Sequence, residues 1–490
     1  MLATAGPVAS RSGARAFPLG NGAAFLAIFA LSLLLRAWWF NNPVPEYDDQ
    51  FYSLVGHDIL AGKLPYVDVW DRKPIGLFLI YAAAHAVLGA KPVAYLFVAN
   101  LFVCCDAWFV FRIAERLADR ATGLVAALLT IVGMGIYGCI GGQSELFFAA
   151  PALAMAWLLL TRKGSLRSLC LAMALGGLAI QIKYSVAPFC ALCGAVALWQ
   201  RWNVHRSPGR LAAEAVLFAL LGLAPTLAVA GTYAALGHWD AFVYANFISI
   251  FERPQMVGRF HAKTLDVIGP LVLATVTGIW AFFRSGRSYP ARDYATVALF
   301  AAGALASIYA TGNVMAYYYA FFVPWAVLLA VPFIDLRGGS GRLGAVLMVA
   351  AFLVVAQLPT RIVDAAADVR AFDQMVQVVR SGGPQARLYV FSGPAALYEA
   401  TGLDGGRYPF PSHHSSGFES GSIGVNQMQL VASRLALRPD FIVTEPAYPS
   451  HQIAPAAPMV MADIDAHYVA RAKVLILGQP LVLWQRRPGT

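Results

Sequence analysis

The residues able to do chemistry gather in a few polar stretches between long apolar runs. The first stretch, 41–73, holds Glu46, Asp48, Asp49, Asp58, Asp68, Asp71, Arg72 and Lys73. The turn Gly141-Gly142-Gln143-Ser144-Glu145 adds an acid, and Lys183 a base. The segment near 237–265 adds His238, Asp240, Glu252, Arg253, Arg259, His261 and Lys263, and Tyr317-Tyr318-Tyr319 follows Gly312-Asn313. A carboxylate at hydrogen-bond reach can take a proton from a hydroxyl. Lysine meets an anion as a point charge and arginine as a planar fork. Acids that would be costly against lipid must line a wet cavity. Placed beside lysines and arginines at a membrane surface, they suit an anionic lipid headgroup whose tail stays in the bilayer.

Composition sets what must position these groups. Of 490 residues, 59% are hydrophobic and 13% charged, and the mean hydropathy is +0.62. Soluble proteins carry about 25% charged residues, so a large soluble enzyme is excluded, as is a disordered chain. A polytopic helical membrane bundle remains. The net charge of +10 reads as a bias of cytoplasmic loops rather than as a nucleic-acid surface. The six cysteines lie in apolar stretches without zinc-finger spacing and read as small buried hydrophobes.

The first apolar run, 22–40, ends in Arg36, Trp38 and Trp39, as an uncleaved anchor with a cytoplasmic N-terminus does. The run 74–89 is short for a span. If it lies along the membrane surface, the basic groups at 112–120, 162–167, 201–210, 284–292 and 337–342 all fall on the cytoplasmic side. The other spans are then expected near 92–113, 122–140, 145–160, 168–182, 186–200, 211–236, 266–283, 293–311, 316–334 and 342–359. That makes about eleven, and the C-terminus lies outside. Residues 1–358 form the membrane module, with 41–91 as its first external loop carrying interfacial helices. Residues 359–490, with mixed charge, Pro and Gly, form a small extracytoplasmic α/β domain. Asp106 is unusual in lying within an expected span, where pairing inside the bundle is the simpler reading.

Three segments of the first loop carry a resemblance: Tyr47-Asp48-Asp49-Gln50-Phe51-Tyr52, Gly62-Lys63-Leu64-Pro65-Tyr66 and Trp70-Asp71-Arg72-Lys73-Pro74. Together they resemble the first external loop of GT-C fold glycosyltransferases, of the protein O-mannosyltransferase-like and lipid A aminoarabinose transferase-like families. Gln143-Ser144-Glu145-Leu146 is similar to their second acidic turn. Ala316-Tyr317-Tyr318-Tyr319, followed by Pro324, resembles their late His-Tyr-Tyr segment, with Ala where His is common. Gly406-Arg407-Tyr408-Pro409-Phe410-Pro411 is similar to a turn of their exported domain.

The resemblance implies an inverting glycosyltransferase of the bacterial inner membrane. It would move a sugar from a polyprenyl-phosphate donor to an extracytoplasmic hydroxyl on a lipid, glycan or protein. Asp48, by its position in the motif, is the expected general base, with Asp49 beside it. The leaving phosphate needs positive charge, expected from Lys73, helped by Lys183 or Arg259. Glu145, Tyr317, Tyr318 and His261 are expected on the substrate. Asp49 and Glu145 either orient groups or hold a divalent cation; two acids do not define a metal site, and no other cofactor is implied. Each residue also has a plain structural reading. The acid pair suits the first turn of a helix, Lys73-Pro74 an interfacial anchor, Lys183 a snorkelling side chain, Tyr317–Tyr319 an aromatic belt, and Arg259 and His261 a solvated loop. A transporter or flippase for a lipid-linked sugar is the alternative from another class. Such a protein binds near the midplane between repeats, whereas here the ionisable residues sit mainly at one end and no repeat is visible.

Overall fold

The computed structural model describes residues 20–254, 264–284, 289–310, 312, 314–414, 419, 421–446 and 454–489. Its apolar runs are helical because, in a bilayer, each segment must satisfy its own backbone polar groups. The first, α1 (Asn21–Arg36), is followed by a 3-10 turn at Ala37–Trp39. Two shorter helices of the first loop come next, α2 (Tyr47–Leu60) and α3 (Ile75–Leu88). The bundle continues with α4 (Pro92–Leu117), α5 (Arg120–Ile136), α6 (Ser144–Thr161), α7 (Leu166–Ile180), α8 (Ala187–His205) and α9 (Pro208–Ala235). After α10 (Trp239–Val243) and a π-helical turn at Tyr244–Ile248 come α11 (Thr264–Arg284), α12 (Ala291–Tyr309), α13 (Val323–Leu329) and α14 (Gly339–Ala356).

Local chemistry sets several boundaries. Pro92 stands in the first turn of α4, where no N–H is needed. Asp119 caps α5 by accepting from the Thr122 N–H at 2.8 Å. Ser207 caps α9, which begins at Pro208. Among the described residues, five helical stretches are long and apolar enough to cross a membrane: Asn21–Trp39, α4, α6, α9 and Gly339–Arg380; α3, α5, α7 and Ile268–Arg284 are apolar but shorter. The chain is a multi-pass membrane protein. Helices stand at every expected span but one. Residues 316–334 fold as a 3-10 turn at Ala316–Phe321, then the seven-residue α13 and a run of turns, buried inside the bundle. Pro324 starts that short helix and Pro332 cannot extend it.

At the end of the bundle that carries the basic groups, charges pair among themselves. Asp293 takes Arg116 at 2.8 Å and Lys163 at 2.9 Å, and Glu214 takes Arg201 at 2.7 Å. All six cysteines are free thiols.

Residue Gln357, in the left-handed region at φ 48°, alone separates α14 from α15 (Leu358–Arg380), and Pro359 sits in the first turn of the new helix. Beyond α15 come β1 (Leu388–Val390), α16 (Ala396–Thr401), α17 (Pro411–His414), α18 (Gln427–Ala436), β2 (Phe441–Thr444), α19 (Ala457–His467), β3 (Tyr468–Ile476) and β4 (Gln479–Arg486). The sheet order is β1-β2-β4-β3. β1 and β2 run parallel, with Leu388 opposite Phe441, and the other pairs are antiparallel. The β3–β4 hairpin turns on Leu477 and Gly478, both at positive φ (50° and 73°), as a two-residue type I′ turn requires. Leu388, Val390, Phe441, Val443 and Leu483 form a core with Phe372, Met375 and Val379 of α15, and Val44 and Leu54 of the first loop join it.

The first loop therefore lies between the bundle and the C-terminal elements. Phe51 of α2 stacks on Phe410 with ring centroids 4.5 Å apart and planes 5° apart, a contact worth about 1 kcal/mol beyond its burial. The Trp70 N–H donates to the Arg407 carbonyl at 2.9 Å. Ser53 Oγ donates to Glu399 at 2.9 Å, and Lys63 Nζ to Asp404 at 3.0 Å.

Candidate active site

Asp48 and Asp49 stand in the first turn of α2, where the helix N-terminus favours negative charge. Adjacent in sequence, they face different surroundings. Asp48 Oδ2 accepts from the Tyr52 hydroxyl, one turn along α2, at 3.2 Å, and from Gln143 Nε2 at 3.1 Å. Asp49 is fully buried; its Oδ2 accepts from the Gly142 N–H at 3.1 Å, and its Oδ1 has no hydrogen-bond partner. Burial pushes the Asp49 carboxyl well above the usual range, against the opposing Gly142 hydrogen bond.

The turn that meets both acids depends on its glycines. A Cβ on Gly141 would lie 2.1 Å from Asp49 Oδ2, and one on Gly142 2.1 Å from the Tyr81 hydroxyl. That hydroxyl donates to the Gly142 carbonyl at 2.5 Å. A side chain at 141 would push the turn from α2, and one at 142 would push it from Tyr81 of α3.

Glu46 lies against the same turn: the Cβ direction of Gly141 points at its Cγ, 3.4 Å away. Burial raises the Glu46 carboxyl to about 7, with Arg361 opposing and Asp48 adding to the shift. A raised carboxyl stabilises the fold fully below its unfolded value, near 4.5, and that contribution is lost as pH rises through about 7. It amounts to something on the order of 3 kcal/mol. The thermal unfolding midpoint in detergent is therefore expected to fall between pH 5 and pH 8, and Glu46→Gln should flatten that fall. An unchanged slope in the variant would count against it.

The cations come from separate elements. Lys73 Nζ lies 4.7 Å from the centre of the Tyr52 ring and 3.8 Å from Asp71 Oδ2. Tyr52 is thus shared: its hydroxyl reaches Asp48 and its ring face carries Lys73. Burial, and after it the nearby charge of Asp48, push the Tyr52 phenol well above its ordinary value.

Lys183 forms a buried ion pair with Glu145 and lies 4.0 Å over the Tyr318 ring and 5.3 Å from that of Tyr317. Ser144 Oγ donates to the other Glu145 oxygen at 2.9 Å. Burial alone would lower the Lys183 ammonium; Glu145 and Tyr318 outweigh it and raise it.

Arg259 and His261 lie outside the described residues. Six positions before Arg259 in the same loop, Arg253 reaches the site: its Nε is 3.0 Å from Glu419 Oε1. Arg72 pairs with the other oxygen of Glu419 and donates to Ser422 Oγ at 3.0 Å. Glu419, from the C-terminal elements, is 1% exposed and joins two arginines of the membrane part. Nothing in the sequence singles out Arg253 among the bases of its loop, or Glu419 among the acids of the tail. Gln143 was legible only as part of the second acidic turn.

The structure therefore brings Asp48, Asp49, Lys73, Glu145, Lys183, Tyr317 and Tyr318 together at one end of the bundle. Among the described residues no three His, Cys, Asp or Glu side chains are grouped as a metal ion needs.

A helical bundle with two short helices after its first span, acids at the start of α2 and a small C-terminal sheet is the GT-C fold. Along nearly its whole length the chain matches ArnT from Cupriavidus metallidurans bound to undecaprenyl phosphate, at TM-score 0.58 and 13% identity, covering 96% of this chain and 98% of that one. The apo state of the same protein matches at TM-score 0.59 and 13% identity, covering 94% and 97%. The archaeal oligosaccharyltransferase AglB from Archaeoglobus fulgidus, in complex with an inhibitory peptide and a dolichol-phosphate, matches at TM-score 0.51 and 12% identity, covering 87% of this chain and 69% of that one. Residues 72–229 match the model of the dolichyl-phosphate-mannose-protein mannosyltransferase family. No curated protein sequence matches.

Proposed function

We propose that the chain is an inverting membrane glycosyltransferase that moves a sugar from a polyprenyl-phosphate donor to a hydroxyl of a lipid, glycan or protein outside the cytoplasm. The observation that carries this reading is the meeting of Asp48 and Lys73 on opposite parts of Tyr52. It puts a carboxylate and an ammonium together at one end of the bundle. The structures it matches over nearly its full length include one with undecaprenyl phosphate.

In this reading the donor phosphate lies by Lys73, with Arg253 and Arg72 close by. The prenyl chain stays in the bilayer. The acceptor hydroxyl attacks the anomeric carbon from the face opposite the phosphate. Asp48 takes the hydroxyl proton as the new bond forms. The bond from the anomeric carbon to the phosphate oxygen breaks, and the polyprenyl phosphate leaves with the electron pair. Charge builds on the phosphate and on the sugar ring, whose transition state resembles an oxocarbenium ion. Fixed cations that need not reorganise stabilise the first. Lys183, committed to Glu145, sets the faces of Tyr317 and Tyr318 rather than meeting the phosphate. Counting the broken segment 316–334 as a crossing, the bundle crosses the membrane about eleven times, and the elements from 359 onward face the outside.

Mass spectrometry of envelope glycolipids and glycans, with and without the protein, tests the reading. A missing sugar on one acceptor class supports it, and identical spectra reject it. With purified protein and the donor so identified, Lys73→Ala should raise the donor KM and lower kcat. Unchanged constants would leave Lys73 as an interfacial anchor.

A further inference from the structure

Arg36 is the last residue of α1 and is 4% exposed. Its guanidinium donates to three successive carbonyls: to that of Cys139, to that of Ile140 at 3.0 Å and to that of Gly141 at 3.3 Å. These carbonyls end the segment whose next two residues reach the acids, Gly142 through its N–H to Asp49 and Gln143 through its amide to Asp48. A guanidinium is planar, always charged and rich in donors, so it can hold several carbonyls of one turn at once. α1 is tied to α4 one turn before Arg36, by Ser32 Oγ donating to Asn100 Oδ1 at 2.7 Å.

We propose that Arg36 is a positioning residue for sugar transfer. By gripping the carbonyls of 139–141 it fixes the turn that presents Gly142 to Asp49 and Gln143 to Asp48. This rests on the glycosyltransferase reading for its kinetic consequence, but not for its structural one.

The test uses the full-length protein in proteoliposomes with two independent readouts. Hydrogen exchange followed by mass spectrometry reports the amides of 137–145 whether or not sugar is transferred. Arg36→Met should speed exchange there and leave the C-terminal sheet unchanged. Where transfer is measurable, kcat should fall roughly 100-fold, as misplaced catalytic groups cost, with the donor KM unchanged. The acid limb of the kcat–pH profile should move to higher pH, because Asp48 loses the Gln143 hydrogen bond that favours its ionised form. Gln143→Ala should move the limb the same way, and Arg36→Lys should recover part of kcat.

Should Arg36→Met fold poorly, Arg36→Lys keeps the buried charge without the planar fork and should fold while exchange at 137–145 still quickens. A folded Arg36→Met variant that turns over like the parent overturns the proposal, as does unaltered exchange at 137–145 in either variant. If the parent transfers no sugar yet the exchange result holds, the glycosyltransferase reading fails and the clamp stands.

Discussion

Asp48→Asn is expected to reduce sugar transfer by about 10²–10⁴-fold, the range lost when a positioned general base is removed. The substitution keeps the size of the side chain. Its amide oxygen can still accept from Tyr52 and Gln143, which now hold the Asp48 carboxylate at 3.2 and 3.1 Å. Expression and thermal stability should therefore remain close to the parent, and donor binding should persist because Lys73, Arg253 and Arg72 are untouched. What disappears is the ability to take a proton. Asp49→Asn makes the informative comparison. Its carboxyl is held above the usual range by burial, so it acts as an acceptor for Gly142 more than as a charge. That variant should lose much less kcat. Equal losses at both positions, or near-normal turnover in Asp48→Asn, would remove Asp48 as the base.

The second large effect belongs to Lys183 and Glu145. Both are almost wholly enclosed, with side-chain exposures of 11% and 2%. Breaking a buried ion pair by removing one partner leaves an uncompensated charge and costs about 3–5 kcal/mol. Lys183→Met and Glu145→Leu should each lower the unfolding midpoint sharply in detergent, and the double variant should recover much of it. The double variant should still transfer sugar slowly, because the ammonium that lies over Tyr318 and Tyr317 is gone. A double variant as unstable as the sum of the two singles would show that the groups act independently.

Much of this arrangement was legible because it is local. The acid pair in the first turn of α2, Lys73-Pro74 before α3, and the apolar runs all carry their signals within a few residues. What escaped the sequence is contact over long separations. Glu419 joins Arg72 across 347 residues, and no period or spacing announces such a pair. Arg253 and Arg259 are equivalent as letters in one loop; only the fold brings Arg253 to Glu419. The two glycines at 141–142 read as a turn, yet their necessity comes from Asp49 and Tyr81 pressing on them from elsewhere in the chain. The segment 316–334 is apolar enough to read as a span. Burial among other helices, rather than lipid, lets it fold as a 3-10 turn and a short helix.

The junction at Gln357 carries a mechanical implication. A single residue joins a hydrophobic rod to an amphipathic one, and Arg361, just past the joint, donates to the Gly135 carbonyl at 2.8 Å. Tilt is therefore transmitted across the joint with little slack. Because a helix answers a change in bilayer thickness by tilting, lipid chain length becomes a lever on how the C-terminal lobe leans over the groups that surround Tyr52.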